Sequence, residues 1–175
     1  ASVNIVGLTG ALSGFTDAQW FYAIKLLCDS RIITQEYQNG YLVLDCQPLV
    51  RDFMAEKLSS DFPKIWRQGN HAIFSFLQSI ALDDPKTMVE LEPLFRAVIH
   101  GTRAGYYEDA FDVYFHKIKK GYSVLAEGSH YADQACIRSF FVKEWSVVNY
   151  GLSETSKFHL IVSAAINLMF LGRID

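Results

Sequence analysis

Between Leu91 and Gly121 the chain alternates stretches of helical apolar periodicity with isolated glycines, and this punctuation limits the fold more than any other feature. Gly105 and Gly121 stand where a helix needs a left-handed residue to end, a conformation that glycine adopts without a steric penalty. Helix, cap, helix, cap describes paired helices. Upstream, Asp61-Phe62-Pro63 opens a helix expected to turn Ile65, Trp66, Ile73, Phe76, Leu77 and Ile80 inward, and Leu82-Asp83-Asp84-Pro85-Lys86 breaks it. Thr87 and Glu90 have capping-box spacing, but Pro93 suits a first turn, so the next helix is placed from about Leu91. Phe158 to Leu171 reads as a further core helix, because it contains His159, Ser163 and Asn167 and is shorter than the roughly 20 apolar residues of a membrane span.

The beginning of the chain has a different pattern. Thr16 and Gln19 form a capping box for a helix whose apolar side is Trp20, Phe21, Ile24, Leu27 and Cys28. Arg31-Ile32-Ile33-Thr34 and Tyr41-Leu42-Val43-Leu44 are β-rich runs on either side of a polar segment ending in Asn39-Gly40, a hairpin signal. Pro48 then fits the first turn of a helix with Val50, Phe53, Met54 and Leu58 on its apolar face. Helix, hairpin and helix suggest a small winged-helix-like module over residues 1–60. Many winged helices bind DNA, but the first helix offers only Lys25 as a cation and Gln35-Glu36-Tyr37-Gln38-Asn39 has none. Phosphate and guanine contacts depend on such groups, so nucleic acid is not expected as a partner.

Composition fits this reading. Of 175 residues, 50% are hydrophobic and 14% aromatic, enough for a sizeable core. Sixteen Lys and Arg against nineteen Asp and Glu leave a charge of −3, too weak a field to favour polyanions or anionic membranes. Cys28, Cys46 and Cys136 are an odd number without C-x-x-C spacing, which points to reduced thiols in a cytoplasmic protein. The five histidines, His71, His100, His116, His130 and His159, have neither i, i+4 spacing nor a nearby cysteine, so no metal site is expected. The adjacent carboxylates Asp83-Asp84 and Glu108-Asp109 point apart in a helix and read as loop and surface charges, while Lys117, Lys119 and Lys120 complement a helix C-terminus. No catalytic residue stands out. The residues from Ala1-Ser2-Val3-Asn4 onward show no basic flank followed by a hydrophobic region, so no secretory signal is expected in them, and a start without Met suggests part of a longer protein.

The run Gly105-Tyr106-Tyr107-Glu108-Asp109-Ala110-Phe111-Asp112-Val113-Tyr114 resembles the turn and second helix of a tetratricopeptide repeat, with Ala110 as the small residue at a close helix crossing. Leu94, Ala97 and Val98 take the places where that repeat prefers an aromatic, a Leu and a Gly, so the unit is degenerate. Leu171-Gly172-Arg173-Ile174-Asp175 is a second turn candidate, since 67 residues separate Gly105 from Gly172, close to twice the roughly 34-residue period. On this register Tyr122 to Tyr150 is an irregular middle repeat and the last repeat is incomplete. Repeat arrays present one face for recognition, which makes Tyr106 and Tyr107 partner-binding candidates. The expected fold is therefore mainly α: the winged-helix module, then over residues 61–175 an α-solenoid of degenerate helical hairpins truncated at its C-terminus.

Leu44-Asp45-Cys46-Gln47-Pro48-Leu49-Val50-Arg51-Asp52-Phe53-Met54-Ala55 resembles the winged-helix segment of bacterial signalling NTPases of the STAND class, which reads Leu-Asp-x-His-Pro-Leu-Val-Arg-x-Tyr/Phe-Phe-Ala. Phe62-Pro63-Lys64-Ile65-Trp66-Arg67 is similar to their Pro-x-x-Trp-Arg helix. Leu91-Glu92-Pro93-Leu94-Phe95-Arg96-Ala97-Val98-Ile99-His100-Gly101 is similar to the start of their repeats. The resemblance implies a regulatory and sensor-arm segment lying after a nucleotide-binding core, mediating protein–protein interaction and autoinhibition, in anti-phage or stress signalling. It also implies a protein ligand or the adjacent NTPase domain as partner, and ATP or ADP in the full-length protein. No phosphate-binding loop occurs in these residues, so the segment has no cofactor of its own and is not expected to be an enzyme. The family's His at the position of Gln47 approaches the phosphates of ADP. Here the neutral Gln47 either makes that contact or caps the helix opened by Pro48, and Arg51 pairs with phosphate, with Asp45 or with a solvated Glu. The alternative reading is a stand-alone helical adaptor that binds a peptide or protein.

Overall fold

The computed structural model describes residues 13–38, 41–118, 130–143 and 145–170. They form a mainly helical chain with two small antiparallel hairpins. It divides into two compact units, Ala1–Trp66 and Arg67–Asp175. Asn39, Gly40, Lys119, Lys120, Gly121 and the turn candidate at 171–175 lie outside the described residues, as do 122–129 of the expected middle repeat.

In the first unit, α1 (Asp17–Asp29) begins with the expected capping box: Gln19 N–H donates to Thr16 Oγ1 over 3.3 Å, and Thr16 N–H donates to Gln19 Oε1 over 2.8 Å. Strands β1 (Ile33–Gln38) and β2 (Tyr41–Cys46) pair antiparallel, with Ile33 opposite Cys46 and Gln38 opposite Tyr41. Arg31 precedes the hairpin in the left-handed conformation (φ 57°) rather than extending it. Helix α2 (Pro48–Asp61) starts on Pro48 as the sequence predicts. The apolar faces of these helices are only partly covered: Trp20, Ile24, Val50 and Leu58 are half-buried, and Phe21, Leu27, Phe53 and Met54 are exposed. Among the described residues of this unit none is buried, and Phe21, Leu49 and Phe53 are 71%, 83% and 61% exposed.

Helix α3 (Pro63–Ile80) continues into the second unit. Its buried residues there are Gly69, Asn70, Phe74 and Leu77, whereas Ile73, Phe76 and Ile80 face solvent. Of the six side chains expected inward, Leu77 alone is buried. Periodicity selects the stripe of Ile65, Ile73, Phe76 and Ile80, but the packed face is turned round the helix toward Asn70, Phe74 and Leu77; Asn70, which meets His100 at 2.8 Å, marks it.

Helix α4 (Met88–Ala104) starts three residues before the expected Leu91. Its capping box prevails: Glu90 N–H donates to Thr87 Oγ1 over 3.3 Å, and Thr87 N–H donates to Glu90 Oε2 over 3.1 Å. Pro93 is tolerated inside the helix because the carbonyl it leaves unbonded belongs to Val89, on the exposed side. Gly105 ends the helix at φ 88°, with Gly105 N–H donating to Thr102 O and Tyr106 N–H to Gly101 O, each over 3.0 Å. This double bond pattern is a Schellman cap.

Helix α5 (Tyr107–Asp112) runs on as a π-helical segment, Val113–Ile118. Ala110 lies at a close crossing, and its partner is Gly101: a Cβ added to Gly101 would lie 2.9 Å from Ala110 Cβ and 3.0 Å from the Phe74 ring. The middle segment holds α6 (His130–Ser139) followed by a β-hairpin, β3 (Phe141–Lys143) and β4 (Val147–Val148), in place of a purely helical repeat. Helix α7 (Glu154–Phe170) closes the described chain. Leu91, Leu94, Val98, Tyr114, Ile118, Ile137, Phe140 and Leu160 form the fully buried centre of this unit.

Candidate functional site

The second unit contains a cleft of about 820 Å³ between the ends of α4 and α6 and the β3–β4 hairpin. Arg103 lies in the last turn of α4 and Arg138 in the last turn of α6, places where a cation offsets the electronegative helix end. Both line the cleft with Tyr107, Tyr131 and Trp145, and among the described residues lining it none is an aspartate or glutamate. The guanidiniums are charged at any working pH, and each also interacts with another group of the chain.

Local structure sets two of the rings. Tyr107 packs on Gly151 so closely that a Cβ there would lie 2.8 Å from Tyr107 Cδ2, which requires glycine. Asn149 Oδ1 holds this corner by accepting from Gly151 N–H over 2.9 Å. Trp145, in the turn between β3 and β4, adopts φ 59°, a left-handed conformation that costs a non-glycine residue roughly 1–2 kcal/mol. Its ring lies 5.6 Å from that of Phe141, so packing offsets part of the strain. Strain of this kind concentrates at binding sites and switch regions.

The two aliphatic hydroxyls in the cleft are turned to structure. Thr102 Oγ1 donates to Ile99 O over 2.9 Å and Ser139 Oγ donates to Cys136 O over 2.7 Å. In these contacts both hydroxyls bond backbone carbonyls of their own helices. On α4, His100 Nδ1 faces Asn70 Oδ1, and an amide oxygen can only accept, which fixes the Nδ1–H tautomer. Burial, then the charges of Arg103 and Arg96, pushes the His100 pKa down to about 4, so the ring is neutral at pH 7.

The second unit also contains a polar network. Tyr114 Oη donates to Asp133 Oδ1 over 2.8 Å, and Asn167 Nδ2 donates to Asp133 Oδ2 over 2.9 Å, joining the π-helical segment, α6 and α7. Burial and the Asp133 charge push the Tyr114 phenol far up, and burial does the same to the Cys136 thiol. Both stay protonated as donors, Cys136 Sγ to Phe95 O over 3.3 Å. All three cysteines are free thiols; Cys136 is buried, Cys28 and Cys46 half-buried.

Of the sequence-derived candidates, Tyr107 lies in the cleft. Tyr106 points elsewhere, stacked on His71 with ring centroids 4.3 Å apart, in a separate groove of about 550 Å³ that also includes Asp109 and Asp112. Gln47 is exposed at the N-cap of α2 and makes no side-chain cap bond, contrary to the capping alternative. Arg51 takes the second of its three alternatives: Nη2 lies 2.7 Å from Asp45 Oδ1 and donates to Cys46 O over 2.9 Å. Arg103, Arg138, Tyr131 and Trp145 were not candidates, because each has a plain local explanation and no linear pattern joins them. Among the described residues no group of three or more His, Cys, Asp or Glu is placed to hold a metal ion, and no helix is long and apolar enough to cross a membrane. No known family, curated protein or solved structure matches the chain.

Proposed function

We propose that this chain is a non-catalytic regulatory segment of a STAND-class NTPase, its first unit resting against the nucleotide-binding domain and its second holding a protein ligand. The observation that carries the reading is the surface of the first unit, where Phe21, Tyr22, Leu49, Phe53 and Met54 are all exposed and no described residue is buried. Burial of apolar area is the main force that holds such elements together, and patches of this kind mark interaction surfaces. A second protein surface would supply what the unit lacks. On this reading ATP or ADP belongs to the neighbouring domain, and Arg51 would exchange Asp45 for a phosphate oxygen when the two meet. Autoinhibition in anti-phage or stress signalling is the setting that the sequence resemblance suggests.

The test is site-specific photo-crosslinking with a benzophenone amino acid in place of Phe21 or Phe53, in the full-length gene product in its own cells. Crosslinked peptides from a domain with a phosphate-binding loop are expected, with yields that change between ADP and ATP. Crosslinks confined to residues 67–175 of the same chain would overturn the reading. The alternative, a stand-alone adaptor, is favoured by one observation: the second unit has its own continuous core and cleft.

A further inference from the structure

The outer face of α7 fits a copy of itself. Between Phe158 and Met169 its exposed residues are Phe158, Ile161, Val162, Ala165, Ile166 and Met169, while Leu160, Ser163, Ala164 and Asn167 are buried. Alternating steps of three and one draw a single stripe along a helix. In an antiparallel pair the two chains run in opposite directions, so a stripe meets its own copy in register only if reversal maps it onto itself. This one does: reversed about its midpoint, Phe158 falls opposite Met169, Ile161 opposite Ile166 and Val162 opposite Ala165. The largest side chains meet at the ends and the smallest at the centre, where crossed helix axes approach most closely. A thioether against an aromatic ring is itself a favourable contact.

Charge permits the same pairing. A two-fold contact sets the surface near its axis against the same surface of the other copy, so a charged face would bring like charges together. From Phe158 to Met169 there is no Asp, Glu, Lys or Arg. The inner face is already engaged with α6 and β4, which leaves the outer one for a partner. We infer that two copies of this chain associate through an antiparallel, two-fold pairing of their α7 helices, centred on Val162 and Ala165. The pairing goes beyond the function proposed above and makes no use of the first unit. Six side chains a copy are far fewer than the roughly 20–30 residues of a standard interface, so the dimer is one of concentrated solution.

The test is disulfide trapping in the full 175-residue chain, with Cys28 and Cys46 replaced by serine and the buried Cys136 kept. Phe158→Cys and Met169→Cys are made in separate proteins, and each is oxidised alone and in a mixture of the two. The antiparallel register brings positions 158 and 169 together. Two copies of position 158 lie roughly 16 Å apart along the axis, beyond the roughly 7 Å between Cα atoms that a disulfide spans. A covalent dimer is therefore expected in the mixture alone. Dimers formed by either protein by itself mean a parallel pairing and overturn the proposal, as does a mixture that stays monomeric. Trapping that vanishes in a longer gene product overturns it too, and assigns the stripe to a further helix of that product. Ala165→Lys gives a second reading with the native cysteines in place. Ala165 is exposed in the monomer, so the melting temperature should hold, while like charges beside the axis raise the dimer dissociation constant in sedimentation velocity about tenfold or more. Val89→Lys, on the exposed side of α4, should leave that constant unchanged. Self-association that survives Ala165→Lys, or that Val89→Lys weakens equally, assigns the contact to another surface and overturns the pairing. Crosslinks at Phe21 and Phe53 report on the first unit alone. Their persistence when trapping fails would remove the α7 dimer and leave the proposed function standing.

Discussion

Gly101 and Ala110 meet where α4 and α5 cross, and the space between them has no room for another methyl group. Gly101→Ala would gain about 1 kcal/mol of helix propensity. It would also force a Cβ to 2.9 Å from Ala110 Cβ, an overpacking that costs roughly 1–3 kcal/mol and outweighs the gain. Thermal melting should show both Gly101→Ala and Ala110→Trp destabilised, the tryptophan far more; an unchanged midpoint in either places the crossing elsewhere. Ala110 as a crossing residue is legible in sequence, but its partner is not, since Val98 and Gly101 lie on one helical face and only packing decides which approaches. His100 supplies a pH dependence at the same scale. Its pKa is about 4 in the fold against about 6.5 unfolded. Between those values the unfolded chain binds the extra proton, so stability falls as pH drops from 6.5 toward 4, and above 6.5 this group adds no slope. His100→Gln should therefore lose less melting temperature than the wild type between pH 7 and pH 5, and equal losses would assign the slope to other groups.

At the scale of elements, Glu108 shows what an adjacent-carboxylate pattern conceals. Its Oε2 accepts from Ser156 Oγ over 2.8 Å, and its Oε1 accepts from Ser153 N–H, so it anchors the N-terminus of α7 from α5 instead of standing as a surface charge. Removing such a charged acceptor typically costs 1–2 kcal/mol or so. Glu108→Ala should speed hydrogen exchange in the first turn of α7 well before it affects α4, and uniform protection across α7 would refute the anchoring role. Elements with their own local chemistry were readable in advance: the capping boxes at Thr16 and Thr87, the helix start at Pro48, the glycine cap at Gly105. Where two local signals competed at Thr87 and Pro93, solvent access to Val89 settled the matter, and sequence carries no record of that. The β3–β4 hairpin was hidden for a related reason. Val142, Val147 and Val148 favour a strand, but the runs are short and interrupted by a turn that places Trp145 at positive φ, a conformation no rule expects of tryptophan.

At the scale of the whole molecule, association turns on the outward apolar side chains. The core helix expected from Phe158 to Leu171 is only half core: Leu160, Ser163, Ala164 and Asn167 face inward, while Phe158, Ile161, Val162, Ile166 and Met169 are exposed. This outer stripe runs from Phe158 to Met169, a span without Asp, Glu, Lys or Arg. Apolar surface of that kind tends to find a mate, here a second α7 or a further helix of a longer array. Substitutions on the outer stripe leave the inner contacts intact, so the two faces can be separated experimentally. Ile161→Glu combined with Ile166→Glu places two negative charges on the stripe and should abolish concentration-dependent self-association in sedimentation velocity while shifting the melting temperature little. Phe21→Ser with Phe53→Ser makes the matching change on the first unit. If the α7 pair sediments like the wild type and the Phe21/Phe53 pair becomes monomeric, the mating surface belongs to the first unit and the α7 stripe is not the end of an array. If the α7 pair alone becomes monomeric, an added helix on that face should protect Met169 from oxidation, because it would occupy the surface that the second copy covered.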